Sequence, residues 1–127
     1  MAKIKHIAIF AKDQLKMVDF YINTFGMYQV HQHASEGDQS RQAYYLSDGH
    51  INLAILPARD DRPEGIDHFG FEVDDFDEMA RTALANGATK GPEAVPQDGR
   101  FNDGFIRDPS GTRVDLSERG WLTEAVG

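Results

Sequence analysis

The chain has 127 residues, a formal charge of −8 and a pI near 4.9; it fills one domain of ordinary size and lacks the clustered cations that nucleic-acid phosphates demand. It contains no cysteine, which excludes disulfides, thiolate-bound zinc and thiol catalysis and suits a reducing cytoplasm. No apolar run approaches membrane length and no secretory signal precedes Lys3 and Lys5, so the expected partner is a small molecule rather than nucleic acid or membrane.

Residues 3–10 alternate apolar and polar as a half-buried strand does. Asp13 is then placed as an N-cap, Leu15, Val18, Ile22 and Phe25 recur at helical spacing, and Gly26 stands at the C-terminal cap. This spacing predicts a helix that buries those four side chains against a sheet. Residues 27–34 and 41–46, joined by a polar loop at 35–40, read as a hairpin pair, and Asp48-Gly49 turns the chain into a strand at 50–56. The Pro- and Arg-containing segment 58–64 is the expected linker.

The second half repeats this order. A strand at 66–73 leads through Asp74-Asp75 into a helix with Phe76, Met79, Ala80, Ala83 and Leu84 on one face, ended by Asn86-Gly87. Residues 88–97 are rich in Gly and Pro and predict a short or edge strand. Strands at 100–107 and 112–117 flank the turn Asp108-Pro109-Ser110-Gly111. The repeat is visible in the residues themselves: Ile4-Lys5-His6-Ile7-Ala8-Ile9 is answered by Ile66-Asp67-His68-Phe69-Gly70-Phe71 at an offset of 62. Gly26 and Gly87 are 61 apart, and Asn52 and Asp115 are 63 apart. These offsets predict a duplicated βαβββ unit, 1–57 and 65–118, in one domain with a tail at 119–127. Period-2 alternation puts His6 with Ala8, and His68 with Gly70, on the small-residue face of each first strand.

The paired βαβββ units, the first-strand histidines and the Asp-Pro-x-Gly turn before a carboxylate-bearing strand resemble the vicinal oxygen chelate superfamily of glyoxalases, bleomycin-resistance proteins, epimerases and extradiol dioxygenases. The resemblance covers nearly the whole chain. It implies an α+β fold in which the two units form a curved, half-open, mostly antiparallel barrel with the helices outside. It further implies one divalent metal, Fe(II), Mn, Ni, Co or Zn, to which a small substrate binds through adjacent oxygens. His6 and His68 match the family's metal-binding histidines, and Asp115 stands where its members usually carry Glu. Asn52 occupies the position of a Glu or Gln, near the open side of the metal.

Asn52 separates the possible chemistries. A neutral amide cannot serve as the carboxylate base that glyoxalase-type isomerisation uses. Two histidines and one carboxylate are the facial set that leaves three positions on non-haem iron, so oxidation of extradiol-dioxygenase type is preferred over isomerase or lyase chemistry. The same set also serves a metal acting only as a Lewis acid. The alternative from another class is a metal-free binding protein of the bleomycin-resistance type.

Plainer roles stand beside these. Asp115 is either a metal ligand or the partner of Arg113 or Arg107, and Asn52 is either a site residue or a hydrogen-bonded structural amide. His31 and His33 alternate near a sheet edge, either exposed or placed as an acid or base at the mouth. His50 and Glu72 are expected at the surface. Tyr44, Phe101, Phe105 and Trp121 could line an apolar pocket, with Arg100 holding an anionic group of the substrate. The tail is either a lid carrying Trp121 or a dimer contact, and a homodimer is expected.

Overall fold

A computed structural model describes residues 2–30, 42–95 and 101–125. The protein is α+β, and the described residues form eight strands and two helices. Their order is β1 (Lys3–Ala11), α1 (Gln14–Phe25), β2 (Tyr28–Gln29), β3 (Tyr44–Ser47) and β4 (Asn52–Pro57). The same sequence of elements follows as β5 (Gly65–Glu72), α2 (Phe76–Ala85), β6 (Lys90–Ala94), β7 (Gly104–Arg107) and β8 (Arg113–Ser117). The duplicated βαβββ order is therefore present. Among the described residues no helix is long and apolar enough to cross a membrane. The chain divides into two compact units, one from residues 6–67 with 122–127 and the other from 1–5 with 68–121.

In the unit of 6–67 the strands run in the order β2-β3-β4-β1, with β1 and β4 parallel and β3 antiparallel to both its neighbours. Alternation sorts the side chains as expected. Ile9 and Ala11 join Val18, Leu46, Leu53 and Ile55 in a core beneath α1, with Ile7 packed against it. His6, Ala8 and Phe10 leave the opposite face and are buried as well. Helix α1 starts where Asp13 accepts a hydrogen bond from the Lys16 amide at 3.1 Å, and stops at Gly26, whose φ of 72° suits glycine.

The predicted stripe of α1 needs correction. Leu15 and Phe25 are 61% and 66% exposed, and the helix instead buries Val18, with Met17, Tyr21 and Ile22 packed on the core. Four apolar residues at i, i+3, i+7 and i+10 match the spacing rule and share a stripe about 80° wide at 3.6 residues per turn, but Leu15 and Phe25 stand in the first and last turns of α1. Only the middle of the stripe and its neighbours on one side reach the sheet. Phe25 packs instead on its own helix, against Phe20 and Tyr21 with ring centroids 6.0 Å away in each case.

In the unit of 68–121 the order is β5-β8-β7-β6, with β5 and β8 parallel and the other pairs antiparallel. Strand β6 is at the end of that order and carries an irregularity between Lys90 and Glu93, consistent with its Gly and Pro content. The core is Val73, Ala80, Ile106, Val114 and Leu116, with Phe69, Phe71, Phe76, Met79 and Ala83 against it. Leu84, predicted on the buried face of α2, is 45% exposed. Asp108 closes the β7–β8 turn by accepting from the amides of Ser110 and Thr112, both at 2.9 Å.

The two faces of α1 can be told apart by stability. Val18→Ala is expected to cost about 2 kcal/mol in chemical denaturation, whereas Leu15→Ser changes it by less than about 0.5 kcal/mol. Equal losses would mean that the original stripe, not the observed one, packs on the sheet.

Candidate metal centre

Strand pairing determines what faces the small-residue side of β5. Gly70 is the register partner of Asp115 on parallel β8, so Asp115 leaves the same face as Gly70 and as His68, two residues earlier. Both His68 and Asp115 are buried, at 6% and 3% exposure. His68 Nε2 lies 3.3 Å from Asp115 Oδ2, while Arg113 Nε donates to Asp115 Oδ1 at 2.8 Å. The competing expectation that Asp115 pairs with Arg113 is thus realised together with a histidine contact. One carboxylate oxygen serves each.

Burial raises the Asp115 pKa, but the hydrogen bond and charge of His68 and the charge and hydrogen bond of Arg113 outweigh it, and the net direction is downward. Arg113 is itself held in place. Its guanidinium carbon lies 4.4 Å from the ring centroid of Phe105, and Phe105 is the antiparallel partner of Asp115 on β7, a cation–π arrangement on the same face.

Gly70 explains why the second first-strand motif has no side chain there. A Cβ at this position would lie 2.5 Å from the Trp121 ring and 3.2 Å from Asp115 Cβ. Trp121, 9% exposed, therefore covers the backbone of β5 beside the carboxylate.

In the unit of 6–67, His6 is buried at 5% exposure and is the register partner of Asn52 on parallel β4. Asn52 is completely buried, and its Nδ2 donates to the Leu122 carbonyl at 2.8 Å. Among the described residues Asn52 Oδ1 has no hydrogen-bond partner. The tail also accepts from the Tyr28 hydroxyl at Thr123, at 2.7 Å, and forms a bridge between Val30 and Ala125. Residues 122–125 thus return to the edge and interior of this unit.

Other expected site residues fall in several places. Phe105 and Trp121 neighbour Asp115 as described. Phe101 is partly buried beneath the Arg119 guanidinium, 5.3 Å from its ring centroid. Tyr44 packs against the core under α1 rather than on the face of His6. His31, His33 and Arg100 lie outside the described residues. Arg107 bonds the Gly111 carbonyl at 3.1 Å and does not pair with Asp115. His50 is exposed. Two participants had no signal in the local sequence: the Leu122 carbonyl, 70 residues from Asn52, and the ring of Trp121 over Gly70. The contact of Arg113 with Asp115 was expected from the sequence, since the two stand two residues apart on one strand.

His68 and Asp115 are buried in one unit, and His6 is buried on the matching strand of the other. Two imidazoles and one ionised carboxylate are donors that suit a divalent first-row cation. The Arg113 bond to the far oxygen of Asp115 is the kind of contact that orients a ligating carboxylate.

The family model of the Glyoxalase/Bleomycin resistance protein/Dioxygenase superfamily matches residues 3–116, and the chain belongs to this family. No curated protein matches it. Its fold is similar to that of hypothetical protein BH1468 from Bacillus halodurans C-125, at 20% identity and a TM-score of 0.74, over 97% of this chain and 98% of that one. A variant of methylmalonyl-CoA epimerase from Streptomyces coelicolor, in complex with 2-nitronate-propionyl-CoA, is 26% identical, with a TM-score of 0.64 over 90% and 92% of the two chains. A mutant 4-hydroxymandelate synthase from the same organism is 18% identical, with a TM-score of 0.73 over 94% of this chain and 38% of that one.

Two outcomes follow from the Asp115 environment. Gly70→Ala forces Trp121 off β5, so it should destabilise the fold by about 1–3 kcal/mol and shift the emission of the chain's single Trp to the red. An unshifted spectrum would contradict the packing. Because the folded pKa of Asp115 lies below its ordinary value of 3.8, its stabilisation is complete above that value and is lost as pH falls through the folded pKa. In thermal melts, Asp115→Asn should lower the midpoint at pH 7 and show a shallower acid limb than wild type.

Proposed function

We propose that this protein is a divalent-metal enzyme acting on a small substrate that binds through two adjacent oxygens, with His6, His68 and Asp115 each supplying one ligand. The observation that carries this reading is the burial of His68 beside Asp115 in one unit, with His6 buried at the matching strand position of the other. A bound divalent cation supplies either Lewis-acid stabilisation of an oxyanion or, as iron, chemistry with dioxygen.

The chain's own residues give the rest of the site. His68 and Arg113 together favour the ionised form of Asp115, and Arg113 holds one oxygen while the other lies on the side of His68. Trp121 and Phe105 exclude water from that carboxylate and give the surroundings an apolar, aromatic character suited to an aromatic or carbon-rich substrate. Asn52 offers no proton acceptor of carboxylate strength. Oxidation of extradiol type is therefore preferred over isomerase or lyase chemistry, although an epimerase and a hydroxymandelate synthase share the fold.

One observation favours the alternative, a metal-free binding protein: both oxygens of Asp115 already face protein partners. Elemental analysis of protein made without a histidine tag separates the two. The proposal expects about one divalent ion per chain in wild type, and loss of most of it in His68→Ala and Asp115→Ala, because each variant deletes one of three protein ligands. Wild-type protein that takes up no ion after exposure to Fe(II), Mn, Ni, Co and Zn would replace the enzyme with the binding protein.

A further inference from the structure

The two ends of the Asn52 amide have unequal surroundings. Nδ2 donates to the Leu122 carbonyl at 2.8 Å. A backbone carbonyl only accepts, so the amide can meet it in one orientation alone. Oδ1 is consequently turned away from the tail, fully buried and without a hydrogen-bond partner among the described residues. An amide oxygen left in that condition has lost its hydration without compensation. A carboxylate at this position could not donate to Leu122 at all, which gives a physical reason for Asn here. Register places Asn52 directly beside His6 on the neighbouring parallel strand, with both side chains on one face.

We infer that Asn52 is a positioning residue whose Oδ1 accepts a hydrogen bond from a hydroxyl of the substrate bound beside His6. The substrate class is thereby narrowed to small chelators that keep a hydroxyl proton, such as hydroxy acids and catechol-like diols, in preference to fully ionised dicarboxylates. This inference rests on the reading of the His6 face as the ligand-binding face. The tail has a defined part in it: Leu122 holds the amide so that an acceptor, not a donor, meets the ligand.

Glycolate and oxalate separate the hydroxyl from the rest of the chelate, since both bind through adjacent oxygens and only glycolate carries a hydroxyl. Calorimetric titration of each into zinc-loaded wild type, Asn52→Leu and Asn52→Asp reads the effect. The three proteins should hold equal zinc. Asn52→Leu should bind glycolate roughly tenfold more weakly and oxalate within about twofold of wild type. Asn52→Asp keeps an acceptor towards the ligand but loses the donor to Leu122. Its ratio of glycolate to oxalate affinity should match or exceed that of wild type while its melting temperature falls. Asn52→Asp decides the matter alone if Asn52→Leu does not fold.

Equal losses for both chelators would overturn the inference and assign the donor to a water molecule. Unchanged glycolate binding in Asn52→Leu, a lost ratio in Asn52→Asp, or binding of neither chelator by wild type would also overturn it. If wild type holds no zinc, the metal reading fails by itself. The same titrations on metal-free protein then judge Asn52, a tenfold selective loss upholding the inference and no loss refuting it.

Discussion

Asp115 carries its charge where water scarcely reaches, at 3% exposure, and a carboxylate in such a place costs several kcal/mol unless cations or donors answer it. Much of the second unit is arranged around that requirement. Arg113 supplies a fixed cation because alternation brings it to the same face two residues away. Phe105, opposite Asp115 on β7, packs its ring 4.4 Å from the guanidinium carbon. His68 approaches the second oxygen from β5. Gly70 has no side chain because the Trp121 ring occupies the space beside the carboxylate. Replacing any one of these leaves the charge less well compensated, so the local fold and the candidate metal ligand depend on the same contacts.

The duplication has been used unequally. His6 and His68 occupy matching positions, yet their neighbours on the parallel strand differ. His6 is in register with Asn52, whereas Asp115 is in register with Gly70, two residues beyond His68. A slide of two residues keeps every side chain on its own face while changing which side chains meet. It puts an amide directly beside one imidazole and brings a carboxylate and an arginine to the other. Where the first unit answers its buried amide with a carbonyl from the tail, the second answers its acid with Arg113. One architecture thus holds a neutral acceptor in one half and an anionic ligand in the other.

Much of this was legible in the sequence because it depends on local periodicity. Alternation alone put the histidines on the small-residue faces, and the offsets of 61 to 63 revealed the repeat. The caps at Asp13 and Gly26 followed from side-chain chemistry. The stripe of α1 was less legible: Leu15 and Phe25 satisfy helical spacing but stand in the end turns of the helix, and which turns pack on the sheet is a tertiary property. The partners of Asn52 and Gly70 were not legible, since Leu122 is 70 residues from Asn52 and a ring packed over a glycine leaves no pattern in composition. Tyr44 and Tyr45 show the limit of alternation. It separates adjacent residues onto two faces without saying which face is which, and Tyr44 belongs to the core.

Membership of the family joins these observations to a class of chemistry without selecting the reaction, and the set of ligands remains the centre of the account. X-ray absorption spectroscopy of the metal-loaded wild type tests it most directly, because imidazole rings give a multiple-scattering pattern that carboxylates and water do not. The account predicts two imidazoles and one carboxylate oxygen on a single ion, with one imidazole lost in His68→Ala. A shell made only of oxygens, unchanged by that substitution, would place the ion on the acidic surface and contradict the centre proposed for His6, His68 and Asp115.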